Sequence, residues 1–320
     1  MAYIFLITEG VALVAAAFSF VMNGFIILIF ATKRIPNAEN LRLAFYLAIG
    51  DIGYALAAMI HVGYEFYMWN DVYFDYNPYF IIYTNSFLPA HLKIVVIVSL
   101  GMAFDRVLAI YFPVFYRQTS RTQYANITFI VGFVWFQFDY WFQMLTPDFV
   151  HHPNCPTMSC FVNKYFLMYV SYSNTFCGVL IVVMSIFVFI GLRKISNKKT
   201  STGSSTPVAS NSTQKSKALN VFQQANRITV GILFASLFFV TIPSLLVTLY
   251  EEITGVSLFN KLGPFYIAAI LVNGVADASV FIVLNFKNIG KKSGSRRNTV
   301  VTTTQSRFTS ENPRKMTLVK

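Results

Sequence analysis

VVIVSLGMAFDRVLAIYFPVFYR, residues Val95–Arg117, is the stretch that decides the fold of this chain. The ten residues before Asp105 carry no charge, and Arg106 stands where a membrane helix would leave the hydrocarbon. The Arg106 guanidinium can reach the interface there or pair with the adjacent carboxylate. The stretch therefore predicts a membrane helix with Asp105 and Arg106 at one end. A plain helix-end ion pair is the alternative to a functional role for these two residues.

Six further apolar stretches extend this interpretation to the rest of the chain. Of the 320 residues, 55% are hydrophobic, 17% aromatic and only 12% charged, which is too apolar for the surface of a water-soluble domain. Each stretch is close to the ~20 residues that span a bilayer. We predict an all-α membrane protein, a seven-helix bundle whose helices cover Val11–Thr32, Leu41–Tyr64, Ser86–Phe112, Ala125–Leu145, Tyr165–Leu192, Ile228–Tyr250 and Phe265–Leu284.

The positions of the basic residues predict the orientation of this bundle. The net charge is +12, and 21 of the 25 Lys and Arg residues follow the first, third, fifth and seventh stretches. Basic loops stay in the cytosol, so the amino end is predicted to lie outside and the carboxyl end in the cytosol. Because membrane orientation accounts for the basic balance, no nucleic-acid partner is expected.

Composition also divides the chain. Residues 1–286 are predicted to form one seven-helix membrane domain. Residues 195–220, the third inner loop, and residues 287–320, the tail, are basic, rich in Ser and Thr and poor in apolar side chains. Such segments cannot bury enough apolar surface to fold, so both are predicted to be disordered. They are interpreted as solvated linkers or as sites of phosphorylation.

Four polar residues fall near the middle of the predicted helices. Asn23 lies in the first helix, Asp51 in the second, and Asn273 and Asp277 in the seventh. Such groups are costly in lipid unless they face the bundle interior, so we expect one shared pocket. Two nearby carboxylates stay ionised together only with help, so the pocket is expected to hold a proton or a cation such as sodium. A purely structural polar cluster is the alternative.

Lys93 is the basic residue deepest in a helix. It lies 13 residues before Arg106, roughly 20 Å along the third helix at ~1.5 Å per residue. Asp139 reaches a similar height on the fourth helix. Two opposite charges at one depth should pair, because either alone would carry a large desolvation cost. Lys93, Asp139 and the neighbouring His91 are also the candidates for binding a ligand in the outer half of the bundle.

Cysteines and a proline mark two further features. Cys155 and Cys160 are the only cysteines in a predicted outer loop, and the outer compartment is oxidising, so we expect a disulfide between them. A zinc site with His151 and His152 is the less favoured alternative. Pro243 removes a backbone hydrogen bond from the sixth helix and predicts a kink that can act as a hinge.

Other classes of membrane protein and enzyme are less compatible with the chain. No Ser/His/Asp triad, metal-ligand pattern or phosphate-binding loop occurs, so neither an enzyme nor a cofactor is predicted. A secondary transporter would show an internal repeat, which the seven stretches lack. A ligand-gated odorant channel of the insect type would have its amino end in the cytosol. Transporter and channel remain the alternatives to a receptor.

The third helix resembles the switch region of the rhodopsin-like G-protein-coupled receptors. The shared features are Asp105 and Arg106 at the inner end, Pro113 seven residues after the Arg, and a Tyr-Arg pair after the proline. The resemblance implies that the Asp-Arg pair locks the resting state and releases the Arg to a G protein. The seventh helix departs from that family, because it reads Asp-Ala-Ser-Val-Phe over residues 277–281 in place of Asn-Pro-x-x-Tyr.

A narrower resemblance covers nearly the whole chain up to Phe286. The chain is similar to the nematode serpentine chemoreceptors of class bc in the segments DRVLAIYFP, PNCPTMSCFVNKYF, VFQQANRITVGILFASLFFVTIPS and KLGPFY. The resemblance implies a multi-pass receptor of the plasma membrane in sensory neuron cilia, with a role in olfaction. Its implied partners are a small odorant or pheromone-like molecule and a heterotrimeric G protein. Members often have Glu where this chain has Asp105, and Asn and Tyr where it has Asp277 and Phe281.

Overall fold

The computed structural model describes residues 2–35, 38–70, 73–146, 149–153, 155, 158–201, 212–255 and 264–286. Within these ranges the chain is helical and contains no β-strand. The helices are α1 Ala2–Ala31, α2 Arg42–Tyr67, α3 Pro78–Tyr111, α4 Pro113–Gln118, α5 Arg121–Leu145, α6 Lys164–Ser201, α7 Ser212–Ser236, α8 Ile242–Thr254 and α9 Phe265–Asn285. A π-helical turn, Leu237–Thr241, joins α7 to α8, and short 3₁₀ turns occur at Ala38–Leu41 and Met158–Cys160.

Local sequence explains where the central helix begins. Asn77 caps α3, its Oδ1 accepting hydrogen bonds from the backbone N–H groups of Tyr79 and Phe80 at 3.0 and 3.3 Å. Pro78 occupies the first helical position, where a missing N–H costs nothing. The helix ends before Pro113, which opens the short helix α4. Capping at one end and proline at the other therefore set the length of α3.

The long helices form one bundle around α3. Helix α3 contacts α2, α5, α6 and α7, whereas α1 packs against α2 and α9. The end of the bundle that holds the start of α1 and the segment before α6 is called the outer end here, following the predicted orientation. The opposite end, which holds Arg106, is called the inner end. Buried apolar side chains fill the bundle between them.

Exposed apolar side chains on the outside of the bundle indicate a membrane protein. Phe18, Val21 and Phe138 are all more than half exposed, which suits lipid rather than water. By length and apolar composition, six described helices could cross a membrane. The long helix that does not meet this measure is α5, in which Asp139 and Gln143 lower the apolar content. Both of these side chains are buried against neighbouring helices rather than facing lipid.

The helices extend beyond most of the predicted ends. Helix α1 begins at Ala2 rather than Val11, and α3 begins at Pro78 rather than Ser86. The predicted disorder of residues 195–220 is corrected at both edges, because α6 continues to Ser201 and α7 begins at Ser212. Extending an existing helix costs much less than nucleating a new one, so polar residues at its ends stay helical. The middle of that loop and the predicted disordered tail, residues 287–320, lie outside the described residues.

Candidate functional site

Arg106 is the centre of a buried hydrogen-bond network at the inner end. Its guanidinium bonds the carboxylate of Asp105 and donates from Nη1 to Asn226 Oδ1 at 3.0 Å. It also donates from Nη2 to the Tyr116 hydroxyl at 3.3 Å. Asn226 belongs to α7 and Tyr116 to α4, so one side chain of α3 ties three helices together. Bonds to a charged donor are stronger than neutral ones, and this network can hold the inner ends in one arrangement.

Tyr116 extends the network towards α5. Its hydroxyl bonds the guanidinium of Arg121, which also donates to Asn40 Oδ1 at 3.3 Å. Burial is the main cause that raises the pKa of Tyr116, so its hydroxyl keeps its proton. The short helix α4 is thereby fixed against the inner end of the bundle.

The π-helical turn lies directly before Pro243. Pro243 has no N–H, and its ring excludes the carbonyl four residues earlier. The backbone hydrogen bond just before the proline is shifted by one residue relative to an α-helix, so that the Ile242 N–H donates to the Leu237 carbonyl. Pro243 is the residue predicted to act as a hinge, and π-helical turns are frequent at functional sites in helices.

The four polar residues predicted for the middle of the bundle converge between α1, α2 and α9. Asn23 Nδ2 donates to the Gly274 carbonyl at 3.2 Å, and Asn273 Nδ2 donates to Asp277 Oδ2 at 2.9 Å. A Cβ on Gly274 would lie 2.8 Å from Ser19 Oγ of α1 and 3.3 Å from the carboxyl carbon of Asp51, so glycine lets α9 approach α1 and α2 closely. Among the described residues, Asp51 Oδ2, Asn273 Oδ1 and Asp277 Oδ1 have no hydrogen-bond partner.

Lys93 and Asp139 meet in the interior of the bundle. Lys93 Nζ lies 3.8 Å from Asp139 Oδ2, and both side chains are buried. Lys93 Nζ also donates to Ser173 Oγ at 2.6 Å and to Asn174 Oδ1 at 2.5 Å on α6. Asp139 Oδ1 accepts from the Tyr169 hydroxyl at 2.7 Å. The ammonium group therefore bridges α3, α5 and α6.

A cavity of about 600 Å³ opens at the outer end of the bundle. This volume lies within the range of small-molecule sites. Its apolar wall includes Leu88 and Leu92 of α3, Val247 of α8, and Ile267 and Ile270 of α9. Its polar wall includes His61, Glu65, Asn85, Asn174 and Ser244. Lys164 and Glu252 lie at its exposed rim.

The three predicted ligand-binding residues do not line this cavity. Positions 85, 88 and 92 of α3 face it, as the helical period requires. Lys93 points about 100° away from Leu92 and reaches the cavity wall only through its bond to Asn174. His91 faces α2, where a Cβ on Gly53 would lie 2.5 Å from its Nε2. Sequence spacing gave the height of these residues but not the direction of their side chains.

The segment before α6 carries the predicted cysteine pair. Cys155 and Cys160 form a disulfide with 6.4 Å between their Cα atoms. The two sulfurs are therefore not available as zinc ligands, which removes the alternative interpretation. His151 instead lies 2.5 Å from an oxygen of Asp75 in the segment before α3, where both side chains are about half exposed.

Sequence reasoning missed several residues of these sites. Asn226 and Asn174 are ordinary polar residues whose partners, Arg106 and Lys93, are distant in sequence. Tyr116 lies nearer to its partners, but no local pattern marks any of the three. Glu65 and His61 gave a signal that could have been used, because a charged residue and a histidine one turn apart lie within the apolar stretch of α2.

These observations define an all-α, multi-pass membrane protein with a polar interior, an outer cavity and an arginine-centred network at the inner end. Residues 1–288 match the family described as serpentine type 7TM GPCR chemoreceptor Srbc. Because the match covers most of the 320 residues, the chain belongs to this family of chemosensory receptors. No curated protein matches the chain.

Proposed function

We propose that this chain is a G-protein-coupled chemosensory receptor of the plasma membrane, working in sensory neuron cilia. A small environmental molecule binds in the outer cavity, and the bound state releases Arg106 to a heterotrimeric G protein. The proposal assigns no catalytic reaction and no cofactor to the chain.

One observation carries this proposal. Helix α7, the π-helical turn and α8 form one continuous helical unit that touches both sites. Ser244 of this unit lines the outer cavity, and Asn226 holds Arg106 at the inner end. The two residues are 18 positions apart, about 27 Å along a helix. A ligand that favours one position of α8 can therefore bias the contact of α7 with Arg106.

The π-helical turn supplies the place where such a unit can bend. Pro243 leaves the backbone ladder incomplete between the cavity and the inner end. A swing of α7 about this point breaks the bond from Arg106 to Asn226 and opens the inner face of the bundle. Arg106 is then free to bind a partner in the cytosol.

The experiment is ligand-dependent G-protein activation in cells that express the full chain. A panel of small volatile and water-soluble molecules is screened by energy transfer between labelled G-protein subunits. For a molecule that activates the wild type, Leu92→Trp should remove the response by filling the cavity, and Arg106→Ala should remove it by deleting the coupling group. Surface labelling controls for expression. A response that persists in both variants contradicts the proposal.

A further inference from the structure

Three buried polar side chains line the outer cavity, namely His61 and Glu65 of α2 and Asn85 of α3. Glu65 is 3% exposed, and its Oε2 has no hydrogen-bond partner among the described residues. Within the same ranges, Asn85 Oδ1 and His61 Nε2 also have none. Buried polar atoms without partners are uncommon and costly. Their position on a cavity wall points to a ligand that supplies the missing bonds.

Hydrogen-bond directions show that His61 offers an acceptor to the cavity. The Thr84 hydroxyl donates to the Phe80 carbonyl at 2.7 Å, so its proton is already committed. His61 Nδ1 lies 2.8 Å from that hydroxyl and must donate to it. In the neutral ring Nε2 is then an acceptor. It faces Glu65 Oε1 at 3.5 Å, and two acceptors that face each other need a donor between or beside them.

A second buried carboxyl group makes this end of the cavity more acidic. Glu9 of α1 is 1% exposed and interacts electrostatically with Glu65. Neither Glu9 oxygen has a partner among the described residues. Burial, and then the carboxyl groups of Glu65 and Glu9, raise the pKa of Tyr76, which caps this region as a neutral hydroxyl. Buried acidic groups need a compensating positive charge or a shared proton.

The basic residues that the structure describes near the cavity do not supply that charge. Lys93, the buried lysine near the cavity, is engaged by Asp139, Ser173 and Asn174. Of the described residues that line the cavity, the lysine is Lys164, whose side chain is exposed at the rim.

We propose that the outer cavity binds a small protonated amine with an apolar body, and that Glu65 is its counter-ion. A primary ammonium group has three N–H donors, which matches the three acceptors Glu65 Oε2, His61 Nε2 and Asn85 Oδ1. Leu88, Leu92 and the apolar residues of α9 enclose the rest of the molecule. The inference rests on the proposed function, because it takes the outer cavity as the ligand site.

The test measures the charge preference of the cavity without a known ligand. Leu88→Cys places a reporter thiol on the cavity wall of the full chain, in a Cys177→Ala background that removes the buried free cysteine. Membranes are treated with the cation 2-aminoethyl methanethiosulfonate or the anion 2-sulfonatoethyl methanethiosulfonate. Each rate is normalised to that of the reagent with a free thiol in solution. The cation should react at least ~10-fold faster, because a carboxylate attracts it in a medium of low dielectric constant.

Two variants locate the charge. Glu65→Gln should reduce the preference for the cation to within a few-fold of unity, whereas the matched rim variant Glu252→Gln should leave most of it. Equal rates of the two reagents in the reporter background would mean that Glu65 and Glu9 share a proton as a structural pair. A faster reaction of the anion would mean that the cavity wall is positively charged. Either result overturns the proposal. It is also overturned if only Glu252→Gln removes the preference. If Glu65→Gln does not reach the membrane, two rate ratios of cationic to anionic reagent are still measured, one in the reporter background and one in Glu9→Gln. These ratios decide whether the charge of the cavity wall is negative.

The outcome is independent of signalling. A cation preference in a chain that activates no G protein would contradict the proposed function and leave the amine site standing. Ligand-dependent activation without a cation preference would support the proposed function and contradict the amine site.

Discussion

Arg106 of α3 donates a hydrogen bond to Asn226 of α7, with 3.0 Å between Nη1 and Oδ1. Both side chains are buried, and the bond joins the inner ends of two long helices. The predicted partner Asp105 is adjacent in sequence and belongs to the same helix, so its contact alone cannot restrain another helix. The bond to Asn226 is the contact that can hold the inner face closed.

Asn226→Ala is expected to raise ligand-independent G-protein activation. A hydrogen bond to a charged group contributes about 1.5–3 kcal/mol, so its loss should shift the equilibrium towards the open state roughly 10- to 100-fold. Basal activation in cells, corrected for surface expression, measures the effect. Asn226→Asp keeps an acceptor oxygen and should stay near wild type. Low basal activity in both variants would mean that this bond does not restrain the receptor.

Charge exchange tests whether Lys93 and Asp139 depend on each other. Lys93→Asp and Asp139→Lys should each lower surface expression, because one unpaired charge left inside the bundle costs about 3–5 kcal/mol. The double exchange should restore much of the expression, although Ser173 and Asn174 remain placed for a cation at position 93. A double variant no better than the worse single variant would show that the two residues do not stabilise each other.

Sodium should stabilise the receptor if the Asp51 and Asp277 pocket holds a cation. An ion that binds the folded but not the unfolded state stabilises the folded state, and the effect grows with the logarithm of the ion concentration once the site is filled. Replacing sodium chloride by N-methylglucamine chloride should then lower the melting temperature of the purified receptor. Asp51→Asn should remove this difference, because one carboxylate no longer needs a counter-ion. If the wild type is insensitive to sodium, the pocket holds a shared proton instead.

Pro243→Ala should straighten the helix between the cavity and the inner end. Alanine restores an N–H and favours a regular helix, removing the cause of the π-helical turn. Ligand-stimulated activation should fall while surface expression is kept or improved. Pro243→Gly, which leaves the helix weak at this point, serves as the matched variant and should retain more activity. Equal full activation in both would argue against a hinge here.

The predicted orientation rests on the 21 basic residues that the sequence assigns to the inner side. An epitope fused before Met1 should be labelled by antibody on intact cells, and one fused after Lys320 only after permeabilisation. Both fusions should give equal signals in permeabilised cells. The reverse pattern would place Arg106 outside and contradict coupling to a G protein.

The sequence predicted the helical class, the family and the approximate position of each long helix, because spans and basic loops are local patterns. It also placed Lys93 and Asp139 at one height, since the rise per residue of a helix is fixed. Helix ends were less predictable: polar residues beyond the apolar core continue an existing helix at low cost, as at the end of α6.

The rotation of each helix about its axis, and the residues that it contacts, were decided only by the tertiary structure. Successive residues of a helix are rotated by about 100°, so the rotation of α3 about its axis decides whether His91 or Leu92 faces the cavity. The apolar pattern does not fix that rotation, because α3 has apolar side chains both towards lipid and towards the interior. The pairing of Arg106 with Asn226, 120 residues apart in sequence, depends on how α3 and α7 pack. Chemistry and depth in the membrane are therefore set by the sequence of each helix. The sites themselves are set by packing, because they consist of contacts between helices distant along the chain.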